Sequence, residues 1–395
     1  MGSADQVLQR ADDAIEHIRG ICFKTGPPRQ VGAELEWTTH RTADPTAYLR
    51  PGELVEALGA HAPATLGNPN PVPLPGGGAV TVEPGGQVEI SSAPAGSLTA
   101  LHAAVTADET ALTDLLGRAG LSLGERGLDP HREPRRILDT PRYAAMERIF
   151  NPAGRTMMGG TAGFQICLDA GEAAQIPARW AALHEIGPAM LALFANSPRD
   201  GWASARMAAW YGIETHRTDP VPQTADPALS WAEYAVDAPL LCIRRPDGNW
   251  DAPRGMTFRQ WIDEGVPTLD DLDYHLGTLF PPVRPRGYLE VRYLDTQPAG
   301  EWIAPAALIV TVFADDVLTD RARDLAASAA GRWHTAARLG LADHPVREAA
   351  TALADLALRN LHRTGLPAPV RDTVTDIVTS RLHHAASGRG LGIPA

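Results

Sequence analysis

VGAELEW, residues 31 to 37, alternates apolar Val31, Ala33, Leu35 and Trp37 with Gly32, Glu34 and Glu36. A period of two belongs to a strand with one buried and one polar face, so Glu34 and Glu36 point the same way. Three further stretches repeat the pattern. Val80 and Val82 alternate with Thr81 and Glu83, Pro84-Gly85-Gly86 supplies a turn, and Val88 and Ile90 alternate with Gln87 and Glu89, which predicts a hairpin with Glu89 on its polar face. Phe164, Ile166 and Leu168 alternate with Gln165, Cys167 and Asp169, and Leu289, Val291 and Tyr293 with Tyr288, Glu290 and Arg292. Gln165 joins the polar face of one strand, and Glu290 and Arg292 share that of the other.

Between and beyond these strands the period is helical. Val7, Leu8, Ala11, Ala14, Ile15, Ile18 and Ile21 predict an opening helix that ends before Gly26-Pro27-Pro28. Ser97 caps a second helix carrying Leu98, Leu101, Val105, Leu112, Leu115 and Leu116. A helical stretch after Asp169 is interrupted by Pro177 and Pro188, short helices fill 231 to 280, and the remainder after Glu301 is helical to about Ser387, leaving SGRGLGIPA as a frayed end. Residues 61 to 78, rich in Pro, Gly and Asn, predict a surface loop and a candidate border of the active site. Gly76-Gly77-Gly78 within it lacks the strand-to-helix setting of a nucleotide fingerprint. The fold class is α+β: an antiparallel sheet wrapped by helices, organised as a catalytic part over 1–300 and a helical C-terminal part over 301–395 packed on the same domain.

Composition removes several function classes. In a chain of 395 residues with a formal charge of −12, the field repels phosphate backbones and anionic membranes, so neither nucleic acid nor a membrane is an expected partner. The longest apolar run, Ile303 to Phe313, is too short to span a bilayer. Lys24 is the single lysine, outside any P-loop or Schiff-base setting, and every other cation of this kind is arginine. Cys22, Cys167 and Cys242 give no disulfide framework and no paired metal spacing, and the opening MGSADQVLQR lacks the shape of a secretory signal, so a cytoplasmic protein is expected.

Glu34, Glu36, Glu89 and Glu290 thus fall on polar strand faces, with Glu83 near the hairpin turn. Carboxylates facing one another across a sheet repel, which calls for a cation or for exposure to water. Hard oxygen donors without nearby Cys or His select Mg²⁺ or Mn²⁺ over zinc. The His383-His384 pair reads as solvent-exposed. Cys167 reads as a small buried hydrophobe, and Trp37, Trp202, Trp210, Trp231 and Trp302 as core.

Five stretches in this order, GAELEW at 32 to 37, EPGGQVEISSAP at 83 to 94, TAGFQICLD at 161 to 169, LFANSP at 193 to 198 and FPPVRPRGYLEVRYLD at 280 to 295, resemble the plant-type glutamate-cysteine ligases. Among these, the resemblance is closest to the actinobacterial ligases of ergothioneine biosynthesis. Gly86 to Ile90 and Glu290 to Arg292 also resemble elements of the glutamine synthetases, distant relatives of that family. The resemblance implies a glutamine-synthetase-like sheet as catalytic floor and ATP-dependent joining of the glutamate γ-carboxylate to the cysteine amine through γ-glutamyl phosphate. It implies that Glu34, Glu36, Glu89 and Glu290, with Glu83 as a weaker candidate, hold two or three Mg²⁺ against the ATP phosphates. Arg292 would stabilise the phosphoryl group in flight, or form an ion pair with one of the glutamates. Arg284 and Arg286 would bind phosphate or substrate carboxylate, or be surface charges on a loop before the strand, and Gln165 would hydrogen-bond the amino acid or meet water. The substrates are ATP, L-glutamate and L-cysteine, with no obligate protein partner. Two alternatives stay open: a ligase of this family with another amine acceptor, and a catalytically silent Mg²⁺- or nucleotide-binding regulator. The chain lacks the transit segment of the plant enzymes, and its cysteines give no support for their regulatory disulfides.

Overall fold

The computed structural model describes residues 4–246 and 248–386. The frayed end expected at SGRGLGIPA lies outside the described residues. In chain order the first half runs α1 (Ala11–Ile21), β1 (Val31–Trp37), β2 (Thr39–Arg41), α2 (Pro51–Leu58), β3 (Ala79–Val82), β4 (Val88–Ser91), α3 (Leu98–Arg118), β5 (Leu121–Leu123), α4 (Pro141–Phe150), α5 (Ala153–Gly160) and β6 (Gly163–Asp169). The second half runs α6 (Ile176–Leu193), α7 (Ala205–Tyr211), α8 (Thr215–Thr218), α9 (Pro227–Asp237), α10 (Phe258–Glu264), α11 (Leu269–Leu276), β7 (Val283–Pro285), β8 (Tyr288–Asp295), α12 (Ile303–Val312), α13 (Asp316–Ala326), α14 (Trp333–Leu339), α15 (His344–Asn360) and α16 (Ala368–Ala386).

Six strands form one antiparallel sheet in the order β3-β4-β1-β6-β8-β7, and β2 pairs with β5 in a small second one. The period of two explains the layering. Ala33, Leu35, Val80, Ile90, Phe164, Ile166, Leu289 and Val291 are buried on one face, where α3 packs on β1 and α6 on β8. The C-terminal helices build outward from that layer: α13, α14, α15 and α16 pack on α6, and α12 on α3, α13, α15 and α16. A smaller apolar cluster, with Met146, Phe150, Met157, Met158 and Leu241 at its centre, gathers around Trp210, Tyr274 and Phe280. No helix among the described residues is long and apolar enough to cross a membrane.

Several local expectations change. The first helix starts only at Ala11, because Val7 and Leu8 instead bridge to Thr268 and Pro267. Pro177 opens α6 rather than interrupting it, at a position whose N–H would have no helical partner. Pro188 lies inside α6, which continues through it because almost the whole helix is buried; beside it Gly187 has no Cβ, and the Trp333 ring occupies that space. A 3₁₀ turn at Gly59–His61 leads into the segment 61–78, a second lies within it at Ala64–Leu66, and the segment is pinned to α3, where fully buried Asp108 accepts the backbone N–H groups of Gly76 and Gly78. His383 and His384 are exposed.

Candidate active site

Strand register decides which polar side chains meet. Across β1 and β4, Glu36 lies opposite Glu89 and Glu34 opposite Ser91. On the other side of β1, Glu34 lies opposite Gln165 of β6. Cys167 faces Glu290 of β8, and Glu290 in turn faces Arg284 of β7. The polar face therefore carries parallel lanes: Thr81, Glu89 and Glu36 in one, Ser91, Glu34 and Gln165 in the next, Gly32, Cys167, Glu290 and Arg284 in the third. Glu83 sits at the hairpin turn, its N–H bonded to the Gln87 carbonyl. Gln165 interrupts the β6–β8 register with a bulge and accepts a short hydrogen bond from the Arg292 guanidinium.

The sheet thus brings together Glu34, Glu36, Glu83, Glu89, Glu290, Gln165 and Arg292. Arg284 is not on a loop: it belongs to the three-residue edge strand β7, is buried, and donates Nε and Nη2 to the two oxygens of Glu290 at 2.6 and 3.1 Å. Arg292 adds a third contact to Glu290 at 3.2 Å, so the ion pair foreseen for Arg292 exists, and Arg284 shares it. Arg286 is exposed at the β7–β8 turn. Cys167 takes a half-buried position on the polar face and lines a cleft of about 140 Å³ together with Gly32, Glu34, Ser91, Ser92 and Tyr288.

The carboxylates differ sharply in charge environment. Burial opposes ionisation of Glu290, yet Arg284 and Arg292 overcome it and hold the group at about 2. Burial, reinforced by Glu290 and Glu89, lifts Glu34 to about 7 against the pull of Arg292 and Arg284. Burial and Glu83 lift Glu89 to about 7, although the Thr81 and Ser91 hydroxyls donate to it at 2.8 and 3.0 Å. Glu36 is pushed well up by burial and then by Glu83 and Glu89, against the Arg206 guanidinium and one backbone N–H from Gly163 at 2.9 Å. Glu83 is raised chiefly by burial, with Arg142 and Arg292 opposing. At the Glu290 end two guanidiniums contact the carboxylate directly, whereas at the Glu36 end Arg206 and Arg142 only partly offset the charge of Glu36 and Glu83. Among the described residues no three His, Cys, Asp or Glu side chains form a ready-made metal cage.

Two arginines near the face carry no signal in the sequence. Arg206, on α7, is 3% exposed, donates to the Arg292 carbonyl at 3.1 Å, leaves Nε without a hydrogen-bond partner, and opposes the charge of Glu36. Arg142, on α4, lies over the Tyr274 ring, donates to the Gly277 carbonyl at 2.9 Å and pulls Glu83 down. Both sit in short helices remote in sequence from the strands, and a lone arginine in such a helix looks like any surface charge. Trp210, expected in the core, stands between Arg206 and Arg292, with the guanidinium carbons 5.8 and 5.9 Å from its ring centre.

Known proteins agree with this architecture. The chain is 39% identical over 381 residues to the glutamate-cysteine ligase EgtA of Mycobacterium tuberculosis, covering 90% of this chain and 85% of that protein. It is 31% identical over 268 residues to the chloroplastic glutamate-cysteine ligase of Medicago truncatula, covering 63% and 53%. A solved glutamate-cysteine ligase of Francisella tularensis, in complex with AMP, shares the fold at a TM-score of 0.52 and 13% identity, over 92% of this chain and 83% of that one. Residues 30–377 match glutamate-cysteine ligase family 2, and the chain belongs to that family.

Proposed function

We propose that the chain joins the γ-carboxylate of L-glutamate to the amine of L-cysteine with cleavage of ATP to ADP and phosphate, and that its product, γ-glutamylcysteine, enters ergothioneine biosynthesis. The observation that carries this reading is the polar sheet face, on which buried carboxylates outnumber the cations at one end, in a chain of this family.

Members of the family use ATP, typically with a divalent metal. The residues fit such ions. Mg²⁺ in phosphoryl-transfer sites is held by one or two carboxylates plus phosphate and water rather than by an all-protein cage, so spread carboxylates raised by mutual repulsion suit it. Bound there, two or three Mg²⁺, or Mn²⁺ in their place, would neutralise charge on the phosphates in transfer. Glu34 and Glu290 would serve the nucleotide end, toward the cleft at Gly32, Cys167 and Tyr288; Glu36, Glu89 and Glu83 would serve the amino-acid end.

A carboxylate is a poor electrophile, so it is first phosphorylated and the cysteine nitrogen then displaces phosphate. No protein nucleophile is required. Arg292, held by Gln165 and Glu290, presents a fixed positive charge to the phosphoryl group. Arg284 acts through Glu290 by holding its carboxylate in place, Arg286 is free to meet phosphate from the rim, and Arg206 and Arg142 offer cations to the carboxylate of the amino acid. Cytosolic reducing conditions suit both the substrate thiol and the free Cys22, Cys167 and Cys242.

Phosphate release with ATP, Mg²⁺, glutamate and a panel of amines tests the reading. Cysteine-dependent release is expected, and preference for another amine overturns the acceptor assignment. Loss of γ-glutamylcysteine and ergothioneine in a deletion strain of the source organism tests the pathway.

A further inference from the structure

The bulge at Gln165 has a second effect. It adds a residue to β8, so the alternation inverts beyond it: Leu294 pairs with Phe164 on the core side, and Asp295 lies opposite Gly163. Asp295 therefore takes a place in the lane of Glu36 and Glu89. It is 1% exposed and accepts three hydrogen bonds: from the Asn196 N–H at 2.8 Å, the Ser197 hydroxyl at 2.7 Å and the Ser204 hydroxyl at 2.8 Å.

Proton accounting makes this network directional. The Ser197 oxygen accepts the Arg206 N–H at 3.1 Å and the Ser204 oxygen accepts the Met207 N–H at 3.2 Å. Each hydroxyl has one proton, and each donates it to Asp295. The backbone on both sides of the Arg206 side chain thus hangs from one carboxylate; burial opposes its ionisation, and the Arg206 guanidinium and the three donors favour it. Gly163 completes the arrangement, since a Cβ there would overlap the guanidinium, and its own N–H goes to Glu36.

We propose that Asp295, acting through Ser197 and Ser204, is a positioning residue that fixes Arg206 beside Glu36 for recognition of the amino-acid substrate's carboxylate. The inference rests on the ligase reading. It gives the LFANSP segment and the end of β8 one role in common, which is to hold the Arg206 cation in place.

Steady-state kinetics and glutamate binding by calorimetry, with the full chain and Mg²⁺, test it through Asp295→Asn, Ser204→Ala, Arg206→Lys and the Asp295→Asn/Arg206→Lys double variant. Asp295→Asn should raise the KM for glutamate about tenfold, with the KM for ATP unchanged and kcat within about threefold. Ser204→Ala should shift the same constant in the same direction by less. The double variant should be no worse than Arg206→Lys alone, because both changes remove one function. A lower thermal midpoint with an unchanged KM for glutamate, or effects that multiply in the double variant, overturns the proposal. If Asp295→Asn does not fold, Ser204→Ala decides, and an unchanged KM there overturns it. An unaltered chain that neither binds nor turns over glutamate overturns the ligase reading as well, whereas a normal unaltered chain with a normal Asp295→Asn variant overturns the positioning role alone.

Discussion

At one end of the acidic strip, fully buried Glu290 is held at about 2 because two guanidiniums surround it. At the other, Glu89 rises to about 7 and Glu36 is pushed well up, because burial is compounded by other carboxylates. Glutamate in a strand facing the same side of the same sheet is therefore an ion-paired anchor in one lane and a carboxyl that resists ionisation in another. The difference comes from register: β7 delivers Arg284 to Glu290, whereas β4 delivers Glu89 to Glu36. At the second end burial and like charge both oppose ionisation, so a divalent cation bound there would relieve more repulsion than one bound at the first.

The largest expected effect separates the two ends by stability rather than activity. Glu36→Ala and Glu290→Ala should each lower kcat by about a thousandfold or more, since on the proposed reading each removes a carboxylate that would hold a metal ion. Judged from the sequence, either change would leave the fold intact by relieving repulsion. The structure revises that for Glu290. Its removal leaves Arg284 buried without its carboxylate, a loss on the order of 3–5 kcal/mol, while Glu36→Ala in metal-free protein should be neutral or stabilising. Urea unfolding without metal checks the contrast, and equal losses would break it.

A second test uses pH and metal together. Glu34 and Glu89 titrate near 4.5 ordinarily and near 7 in the fold, so between these values the folded protein binds more protons than the unfolded chain. Their contribution to stability therefore falls as pH rises from about 4.5 to 7. Glu290 has the opposite sign: its contribution is present above 4.5 and lost as pH falls toward 2. Mg²⁺ should raise the thermal midpoint more at pH 8 than at pH 5, and a midpoint indifferent to Mg²⁺ at pH 8 would remove the cation from the Glu36 end.

Burial without neighbouring charge can be isolated behind the sheet, where a smaller effect is expected. His184 on α6 packs against Trp180 with ring centres 4.5 Å apart, and burial presses it down to about 4 against one hydrogen bond with the Trp180 carbonyl. Between its ordinary 6.5 and 4, the unfolded chain takes up a proton that the folded one refuses, so stability falls as pH drops through that window. The slope is at most about 1.4 kcal/mol per pH unit. His184→Leu should flatten it whether or not Mg²⁺ is present, and an unchanged slope would assign the acid sensitivity elsewhere.

The alternation in β1, β4, β6 and β8 was legible in the sequence because a two-faced strand writes its burial directly into residue order, and those strands carry most of the acidic face. Pairings across the sheet were not. Arg284 lies in a strand too short to show a period, and the inversion that brings Asp295 to the polar side depends on a bulge seen only when β6 and β8 are side by side. Arg206 and Arg142 reach the site from helices whose placement is a tertiary matter. Pro188 argues locally for a helix end, and packing around α6 overrides it.

The smallest effect belongs to Cys167, the one thiol on the polar face, set between Gly32 and Glu290. Burial, then Glu290 and Glu34, push its pKa well up, so it remains a protonated thiol at neutral pH. A thiol in that state is neither a nucleophile nor a metal ligand. Cys167→Ala deletes one sulfur beside an open cleft rather than inside a closed core, so solvent can fill the space and no sealed void results. Turnover and the KM for ATP should stay within about threefold, and the unaltered enzyme should resist iodoacetamide at pH 7. A hundredfold loss in Cys167→Ala would place a thiol in the chemistry, and the contrast between a neutralised and an unneutralised end would no longer suffice to describe how this sheet acts.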